Sequence, residues 1–325
     1  MKFGVGFFTA QRPAGDPRPF AELYADVLDH ARTAESAGLD SFWVAEHHFS
    51  TDGYVSSVLP LCGAIAAVTS RITIGCEVAT SLHSPLRLAE DSIFLDHLSR
   101  GRFVLGLART YRKPEFDAFG IDPEAESSRL EETIALLRSA YAGQPVATTD
   151  GTELKVMAPL TAGGPKLLMG FHGDPGTEAE RAARVGDLFR TDPSATLDQV
   201  KEVVAIFDAH RPDSASGDLF VFCYGYVSKQ DPWAAMADGF RHLRTTYDQW
   251  GGNAGSSELR REDYRLLIGS PDEVAADVGR YRELFGDRVH IVLRLDYPGM
   301  ERLAVTEAIR LFGGVATRVR EHAAT

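Results

Sequence analysis

The sequence predicts an α/β fold of the (β/α)8 TIM-barrel type, in which eight parallel strands alternate with eight helices. Two observations lead to this prediction. Short apolar runs of strand length alternate with amphipathic segments of helix length along nearly all of the 325 residues. The alternation also continues without a repeat of fixed period and without an interdomain linker, so we expect a single domain over residues 1–325.

The strand candidates are short runs rich in β-branched and aromatic residues, and each precedes a helical pattern. In chain order they are Lys2–Phe8, Ser41–Ala45, Ile72–Val78, Phe103–Leu107, Lys166–Phe171, Asp187–Thr191, Leu219–Val227 and Val289–Leu295. The helices that we predict after them are Phe20–Ala37, Ser57–Thr69, Pro85–Leu98, Ser127–Tyr141, Thr177–Val185, Leu197–His210, Pro232–Trp250 and Met300–Arg320.

Proline and capping residues mark several helix boundaries. Pro85 occupies a first helical position. Thr177 with Glu180 three residues later has the spacing of a capping box. Pro271–Phe285 is predicted as an extra helix before the last strand, after an inserted loop at 251–264 that is rich in Gly, Ser and Asn. We expect this insertion to form a lid over the site.

Charge narrows the classes of binding partner, and cysteine content narrows the cellular location. The formal charge of −12 and the isoelectric point near 5.3 argue against nucleic acid or an anionic membrane surface as partners. Cys62, Cys76 and Cys223 lie far apart and show no zinc or disulfide spacing, which favours a cytoplasmic location. The N-terminus lacks a secretory signal pattern, and no apolar run approaches roughly 18 residues, so we predict neither export nor a membrane span.

One carboxylate and two imidazoles follow the second predicted strand. The apolar run Phe42–Ala45 ends in Glu46, His47 and His48, and the carboxyl ends of barrel strands are where such proteins bind ligands. These residues are either a catalytic site or only a polar strand end. A metal-dependent hydrolase is a weaker alternative, because neighbouring side chains on a strand point to opposite faces and the two imidazoles cannot easily share one ion. We therefore predict no metal.

Other strand ends also carry polar and aromatic side chains. They include Thr9, Gln11, Glu77, Thr80, His83, Arg109, Tyr111, Arg112, Arg190, Tyr224, Tyr226, Arg294 and Asp296. The glycine-bearing turn at 170–177 leads into a helix whose free amides favour an anion such as phosphate, although Asp174 adds negative charge and Pro175 lacks an N–H. Arg109 is either a bidentate phosphate ligand or the partner of a nearby carboxylate.

Four longer motifs lie in order along the chain. They are Trp43-Val-Ala-Glu46-His47-His48-Phe49, Pro85-Leu-Arg87-Leu-Ala-Glu90, Leu95-Asp96-His-Leu-Ser99-Arg-Gly101-Arg102-Phe103 and Phe116-Asp-Ala-Phe119-Gly120. Together they resemble the bacterial luciferase-like flavin monooxygenase family, and the resemblance extends over nearly the whole chain. It implies a barrel that binds reduced FMN, uses O2 as the oxidant and receives FMNH2 from a separate flavin reductase.

The resemblance also implies catalytic roles. His47 takes the place of a histidine that is important to catalysis in luciferase, and Glu46 and Glu77 are the other catalytic candidates. Glu77 stands where the family has a small residue against the flavin ring, so it is a substrate-handling base or a sign that the ring lies elsewhere. Ala108 replaces the reactive cysteine of luciferase, so light emission is not inferred.

The implied flavin contacts surround three strand ends. Arg109 and Arg129 match two arginines that clamp the FMN phosphate, and Thr177 supplies a hydroxyl beside them. The other contacts implied at these strand ends are Cys76, Glu77, Ala108, His172, Gly173 and Asp174.

The resemblance leaves the reaction open among hydroxylation, Baeyer–Villiger insertion and aldehyde oxidation of an organic small molecule. An alternative is an oxidoreductase that uses the deazaflavin F420 on the same barrel. Another is a non-catalytic flavin-binding or ligand-binding protein. The resemblance implies a homodimer, through the helices near Ser57–Thr69 and Pro85–Leu98.

Overall fold

The computed structural model describes residues 1–147, 150–170, 175–211, 218–251 and 261–324. The strands are β1 (Lys2–Phe8), β2 (Ser41–Ala45), β3 (Thr73–Ala79), β4 (Phe103–Ala108), β5 (Val146–Ala147), β6 (Glu153–Leu154), β7 (Lys166–Gly170), β8 (Leu188–Thr191), β9 (Leu219–Val227), β10 (Leu266–Gly269) and β11 (Val289–Arg294). The helices are α1 (Phe20–Ser36), α2 (Val58–Val68), α3 (Pro85–Ser99), α4 (Lys113–Phe119), α5 (Glu126–Tyr141), α6 (Pro175–Val185), α7 (Leu197–His210), α8 (Pro232–Gln249), α9 (Pro271–Phe285) and α10 (Arg302–Ala324).

Eight parallel strands close into a barrel, which confirms the predicted (β/α)8 fold. The order around the barrel is β1, β2, β3, β4, β7, β8, β9 and β11, and β11 pairs with β1 to close it. In this order β4 and β11 are four places apart out of eight, so their ends lie on opposite sides of the barrel mouth.

Four elements, the strands β5, β6 and β10 and the helix α4, were not predicted. The strands β5 and β6 form a small antiparallel hairpin before β7. The strand β10 extends the sheet by pairing in parallel with the second half of β9. The short helix α4 follows β4 and supplies a site residue described below. The predicted extra helix before the last strand is α9, and a capping box of Ser270 and Glu273 begins it.

The capping box predicted at Thr177 was wrong. Thr177 is not the N-cap of α6, because the helix already begins at Pro175 and Thr177 lies exposed in its first turn. The favoured fixed φ of proline at a first helical position explains the earlier start. A capping box begins α7 instead, where Thr196 and Gln199 satisfy each other's backbone N–H groups.

Among the described residues, side chains of the strands fill the barrel interior, which is a packed core rather than a pore. Its members are Phe7, Trp43, Ala45, Val104, Leu168, Leu188, Phe220, Phe222 and Val292. Gly75 makes room for the fully buried Trp43, since a Cβ at Gly75 would lie 2.2 Å from the indole. A second apolar core fills the space between the strands and the helices. This packing leaves the carboxyl ends of the strands as the open end of the fold.

In the part of the chain that the structure describes, no helix is both long enough and apolar enough to cross a membrane.

Candidate active site

A cavity of about 400 Å³ opens at the carboxyl ends of the barrel strands. Its volume lies in the usual range for small-molecule sites. The residues that line it are Phe7, Ala45, Glu46, His47, Tyr54, Glu77, Val78, Ala79, Ala108, Arg109, Tyr111, Arg190, Asp192, Pro193, Ser194, Tyr224, Arg244, Tyr247, Gly251 and Arg294. Five of the predicted site residues, Glu46, His47, Glu77, Ala108 and Arg109, therefore meet in one place.

Glu46 is held as a buried anion between the ends of β2 and β3. Its Oε1 accepts hydrogen bonds from the Ala79 amide and from Nε2 of His83, both at 2.7 Å. Burial disfavours the charged carboxylate, but the surrounding donors outweigh burial and lower the pKa of Glu46 to about 2. A carboxylate with so low a pKa is a weak base at neutral pH, so the geometry favours an anchoring role for Glu46.

The imidazole of His47 contacts the carboxylate of Glu115, a residue of α4 that was not predicted from the sequence. Nδ1 of His47 is 3.1 Å from Oε1 of Glu115. The same carboxylate accepts from the amide of His48 at 2.9 Å and from Arg112 at 2.9 Å, and Thr110 donates to its other oxygen. Burial disfavours the charge of Glu115, but these donors, with the imidazole first among them, lower its pKa to about 2. A detectable signal was the spacing of Arg112 and Glu115, which share one turn of a proline-started helix.

Aromatic rings enclose the other side of the His47 imidazole. The ring centroids of Tyr54, Tyr111 and Trp250 lie 5.0, 5.6 and 4.8 Å from that of His47. The guanidinium carbon of Arg112 lies 3.8 Å from the centroid of Trp250, within the range of a cation–π contact. These rings hold the imidazole in an apolar wall at the edge of the cavity.

Glu77 faces into the barrel, where it forms a two-point ion pair with Arg190. Both residues are buried, Arg190 donates through Nε and Nη2, and the Nη2 contact to Oε2 is 2.8 Å. Two glycines make room for the pair. A Cβ on Gly106 would lie 2.8 Å from Cγ of Glu77, and one on Gly170 would lie 2.6 Å from Cζ of Arg190. Burial raises the pKa of Glu77, and the guanidinium opposes that rise.

Arg109 is flanked by two carboxylates on the side of the mouth where the phosphate clamp was predicted. Its Nε donates to Glu126, and its Nη1 lies 3.2 Å from Oε1 of Glu178. Arg181 also pairs with Glu178, at 2.6 Å. The structure thus shows the carboxylate pairing that was one of the two sequence-based interpretations of Arg109. The Arg109 side chain is also about one-third exposed (34%) and lines the cavity, and its role as a phosphate ligand stays a prediction. Arg129 donates from Nε to the carbonyl of Ser81 at 3.1 Å.

The other residues predicted to contact the flavin do not line the cavity or lie outside the described residues. Cys76 is fully buried in the core between strands and helices and does not line the cavity. Burial and the neighbouring Cys62 thiol raise the pKa of Cys76 well above its ordinary value. His172, Gly173 and Asp174 lie outside the described residues, and so does most of the predicted lid at 251–264, of which Gly251 lines the cavity.

Metal binding has no geometric support where the structure describes the chain. No group of three or more His, Cys, Asp or Glu side chains within the ranges given above is arranged to hold a metal ion. The arrangement instead offers an imidazole fixed by a carboxylate, an aromatic cavity and several guanidinium groups. It can orient a planar ligand, exclude water and move a proton at His47.

Comparison with known proteins agrees with this geometry. Residues 1–288 match the profile of the family described as luciferase-like monooxygenase. The chain is 31% identical over 123 residues to the alkanal monooxygenase alpha chain of the Kryptophanaron alfredi symbiont, which covers 38% of this chain and 34% of that protein. The chain thus aligns with less than half the length of the curated relatives that it matches first.

Solved structures match over nearly the full length. Monooxygenase RslO1 from Streptomyces bottropensis superposes with a TM-score of 0.83 and 25% identity, covering 98% of this chain and 99% of that one. Two more show the fold alone. The oxygenating constituent of 3,6-diketocamphane monooxygenase from Pseudomonas putida, solved with FMN, has a TM-score of 0.77 and 17% identity over 98% and 99% of the two chains. An F420-dependent secondary alcohol dehydrogenase has a TM-score of 0.74 and 16% identity over 98% of each.

The resemblance seen in the sequence motifs is thereby confirmed, since the family profile covers most of the chain and the barrel is the one that such proteins share. The chain belongs to the family of luciferase-like, flavin-dependent monooxygenases.

Proposed function

We propose that the protein is the oxygenase component of a two-component system, which takes FMNH2 from a separate flavin reductase and uses O2 to oxidise an organic small molecule. The observation that carries the proposal is the Glu115–His47 pair at the edge of an aromatic cavity of about 400 Å³. Hydroxylation, Baeyer–Villiger insertion and aldehyde oxidation all remain within the proposal, because all three draw on the same cofactor and oxidant.

Two arginines fit the phosphate of FMN. Arg109, which lines the cavity, and Arg129, which does not, would hold this phosphate, because no described residue engages Nη2 of Arg109 or either Nη group of Arg129. The acidic side chains of Glu126 and Glu178 compete with that phosphate, so binding is expected to be weaker than in a site without them. Reduced flavin, when bound, supplies the electrons that activate O2.

The chain's own residues contribute positioning and proton transfer. Glu115 orients His47, whose Nε2 then accepts or returns a proton at the reacting oxygen or at the substrate. Tyr54, Tyr247 and Trp250 screen the imidazole from bulk water.

The deciding experiment is an anaerobic titration of the purified protein with FMNH2, with reduced F420 in a parallel titration. Mixing the FMNH2 complex with O2 in a stopped-flow instrument then compares the rate at which oxidised flavin appears with the rate for free FMNH2. Saturable binding of FMNH2 and a slowed appearance of oxidised flavin support the proposal. Binding of reduced F420 alone would favour the F420-dependent oxidoreductase, and binding of neither would favour a non-catalytic protein.

We also propose that the chain forms a homodimer through α2 and α3. Phe94 and Leu98 on α3 are 59% and 43% exposed, and Phe94 lines an open groove of about 620 Å³ together with Leu59 and Met157. Exposed apolar surface of this kind is typical of subunit contacts. Light scattering on the wild type and on Phe94→Asp tests this, with a dimer expected for the first and a monomer for the second.

The location in the cytoplasm stays a proposal. It rests on the three cysteines, which are buried and unpaired in the structure, as expected where thiols are kept reduced.

A further inference from the structure

Four arginines line the cavity, and Arg294 differs from the other three in its partners. Within the described ranges, each of the other three has a carboxylate partner: these are Arg109, Arg190 and Arg244. Arg294, at the end of β11, forms no ion pair with any described residue. It is also the arginine that lies across the barrel mouth from Arg109, since β4 and β11 stand opposite each other.

The contacts of Arg294 are to hydroxyl groups. Nη1 donates to the hydroxyl of Tyr247 at 3.1 Å, and Nη2 donates to the hydroxyl of Thr9 at 3.2 Å. Nε has no acceptor among the described residues, although Arg294 is only 3% exposed. A buried guanidinium with neutral partners is costly, and an anion beside it removes that cost.

The nearest acidic residue along the chain does not supply this anion. Asp296 lies two residues after Arg294 and forms no ion pair with it. Burial raises the pKa of Asp296 to about 7, against the opposing charge of Arg294. Arg294 therefore lines the cavity without a carboxylate contact from any described residue.

The two sides of Arg294 are not equivalent. The hydroxyl of Thr9 donates a hydrogen bond to Oε1 of Gln11 at 2.8 Å, and Nε2 of Gln11 donates to Asp52 at 2.7 Å. Thr9 therefore has no O–H left to donate to a ligand. Tyr247 lies instead 3.0 Å from the hydroxyl of Tyr54, and both tyrosines line the cavity.

The tyrosine pair keeps one proton for a ligand. The two hydroxyls share a single hydrogen bond, so one O–H proton remains among the described contacts. Burial raises the pKa of Tyr54, which keeps it protonated at neutral pH. Arg294 and this pair thus form a cation with a free hydroxyl donor beside it.

The wall next to this group is aromatic. The rings that line the cavity belong to Phe7, Tyr54, Tyr111, Tyr224 and Tyr247. We propose that Arg294, Tyr247 and Tyr54 bind the anionic oxygen, a carboxylate or a phenolate, of an aromatic substrate. This assignment rests on the proposed function in one respect. The flavin phosphate would bind on the Arg109 side of the barrel mouth, and the substrate would bind on the Arg294 side.

The test uses the cofactor-free wild-type protein and calorimetric titration, so it does not depend on flavin binding. The probes are 2-naphthoate and its neutral analogue 2-naphthamide, and 4-nitrophenolate with its neutral analogue 4-nitroanisole. We expect at least one anion to bind about tenfold to a hundredfold more tightly than its neutral analogue, the effect of one charge-assisted contact. Which anion is preferred tells a carboxylate site from a phenolate site. Equal affinities within both pairs would overturn the proposal.

Variants then locate the anion. Arg294→Gln should abolish the preference and leave the affinity for the neutral probe unchanged, whereas Arg109→Gln should retain the preference. The opposite pattern would assign the anion to Arg109 and overturn the proposal. If Arg294→Gln fails to fold, a crystal of the wild type with 6-bromo-2-naphthoate locates the probe by its bromine signal. A carboxylate within hydrogen-bonding distance of Arg294 or Tyr247 supports the assignment, and a carboxylate at any other site contradicts it.

Discussion

Glu115 accepts the Nδ1–H of His47 across 3.1 Å and thereby decides which nitrogen of the imidazole is left for the cavity. An ionised carboxylate only accepts hydrogen bonds, and the pKa of Glu115 is about 2, so Nδ1 must be the donor. In the neutral ring Nε2 then carries the lone pair. The carboxylate thus sets the tautomer of the proposed catalytic base.

Replacing Glu115 by glutamine is expected to lower product formation by roughly 10²- to 10⁴-fold, because an amide can donate to Nδ1 and stabilise the wrong tautomer. FMNH2 affinity should change little, since Glu115 touches His47 rather than the phosphate side. Product per flavin oxidised and the dissociation constant of FMNH2 are the measurements. Asp117→Asn, on the exposed face of the same helix, is the matched control and should behave as wild type. Equal turnover in Glu115→Gln would remove the residue from the mechanism.

The phosphate side of the mouth gives a prediction for Arg109. Arg109→Ala should weaken FMNH2 binding by about 1.5–3 kcal/mol, the typical contribution of a hydrogen bond to a charged group. Fluorescence titration of the variant measures the change. An unchanged dissociation constant would mean that the two carboxylates beside Arg109 occupy it fully and that the phosphate binds elsewhere.

The same geometry predicts a change of opposite sign at Glu178. Its carboxylate lies 3.2 Å from Arg109 and would stand beside a bound phosphate. Glu178→Gln removes this negative charge, so FMNH2 should bind more tightly, by about 1 kcal/mol or more. Glu180→Gln, an exposed position on the same helix, is the control and should leave affinity unchanged. Weaker binding in Glu178→Gln would show that this carboxylate organises Arg109 and Arg181 for the phosphate rather than competing with it.

Stability in acid should depend on Glu46. Its pKa falls from 4.5 to about 2 on folding, so the unfolded chain binds the proton more readily. The ionised group therefore stabilises the fold above about pH 4.5, and this stabilisation, about 3 kcal/mol, is lost as the pH falls through about 2. Urea unfolding at a series of pH values measures it. Glu46→Gln should unfold with a shallower dependence over this interval, while the exposed Glu90→Gln should keep the wild-type slope.

The sequence predicted the barrel and the strand-end cluster because both depend on local patterns. The alternation of apolar runs and helical segments is visible in the sequence itself, and it also predicts where each strand ends. Glu46, His47 and Arg109 were found for this reason. The carboxylate partners of His47 and Arg109 were not found, because Glu115 and Glu178 reach them from helices whose placement depends on tertiary packing.

Side-chain direction was a second limit of the sequence. Cys76 and Glu77 are adjacent on β3, and the pleat sends one into the outer core and the other into the barrel. The run of residues at a strand end does not say which of two neighbours faces inward. The partner of Glu77 was equally hidden, because Arg190 lies 113 positions along the chain and only the closed barrel brings the two together.

The buried ion pair of Glu77 and Arg190 is expected to stabilise the fold only while both charges are present. Glu77→Gln leaves a buried guanidinium without its anion, so the free energy of unfolding should fall by about 3–5 kcal/mol. Removing both charges in the double variant Glu77→Leu/Arg190→Met should restore most of that loss, because no unpaired charge is left in the barrel. Urea unfolding of the single and double variants measures both changes.

Turnover of the double variant then separates structure from chemistry at Glu77. A carboxylate held at two points by Arg190 is not free to act as a base, so we expect product formation within about tenfold of wild type once folding is restored. A folded double variant whose product formation falls by roughly a hundredfold or more, with FMNH2 affinity unchanged, would give Glu77 a catalytic role. A fall in FMNH2 affinity alone would instead place the flavin ring against this ion pair.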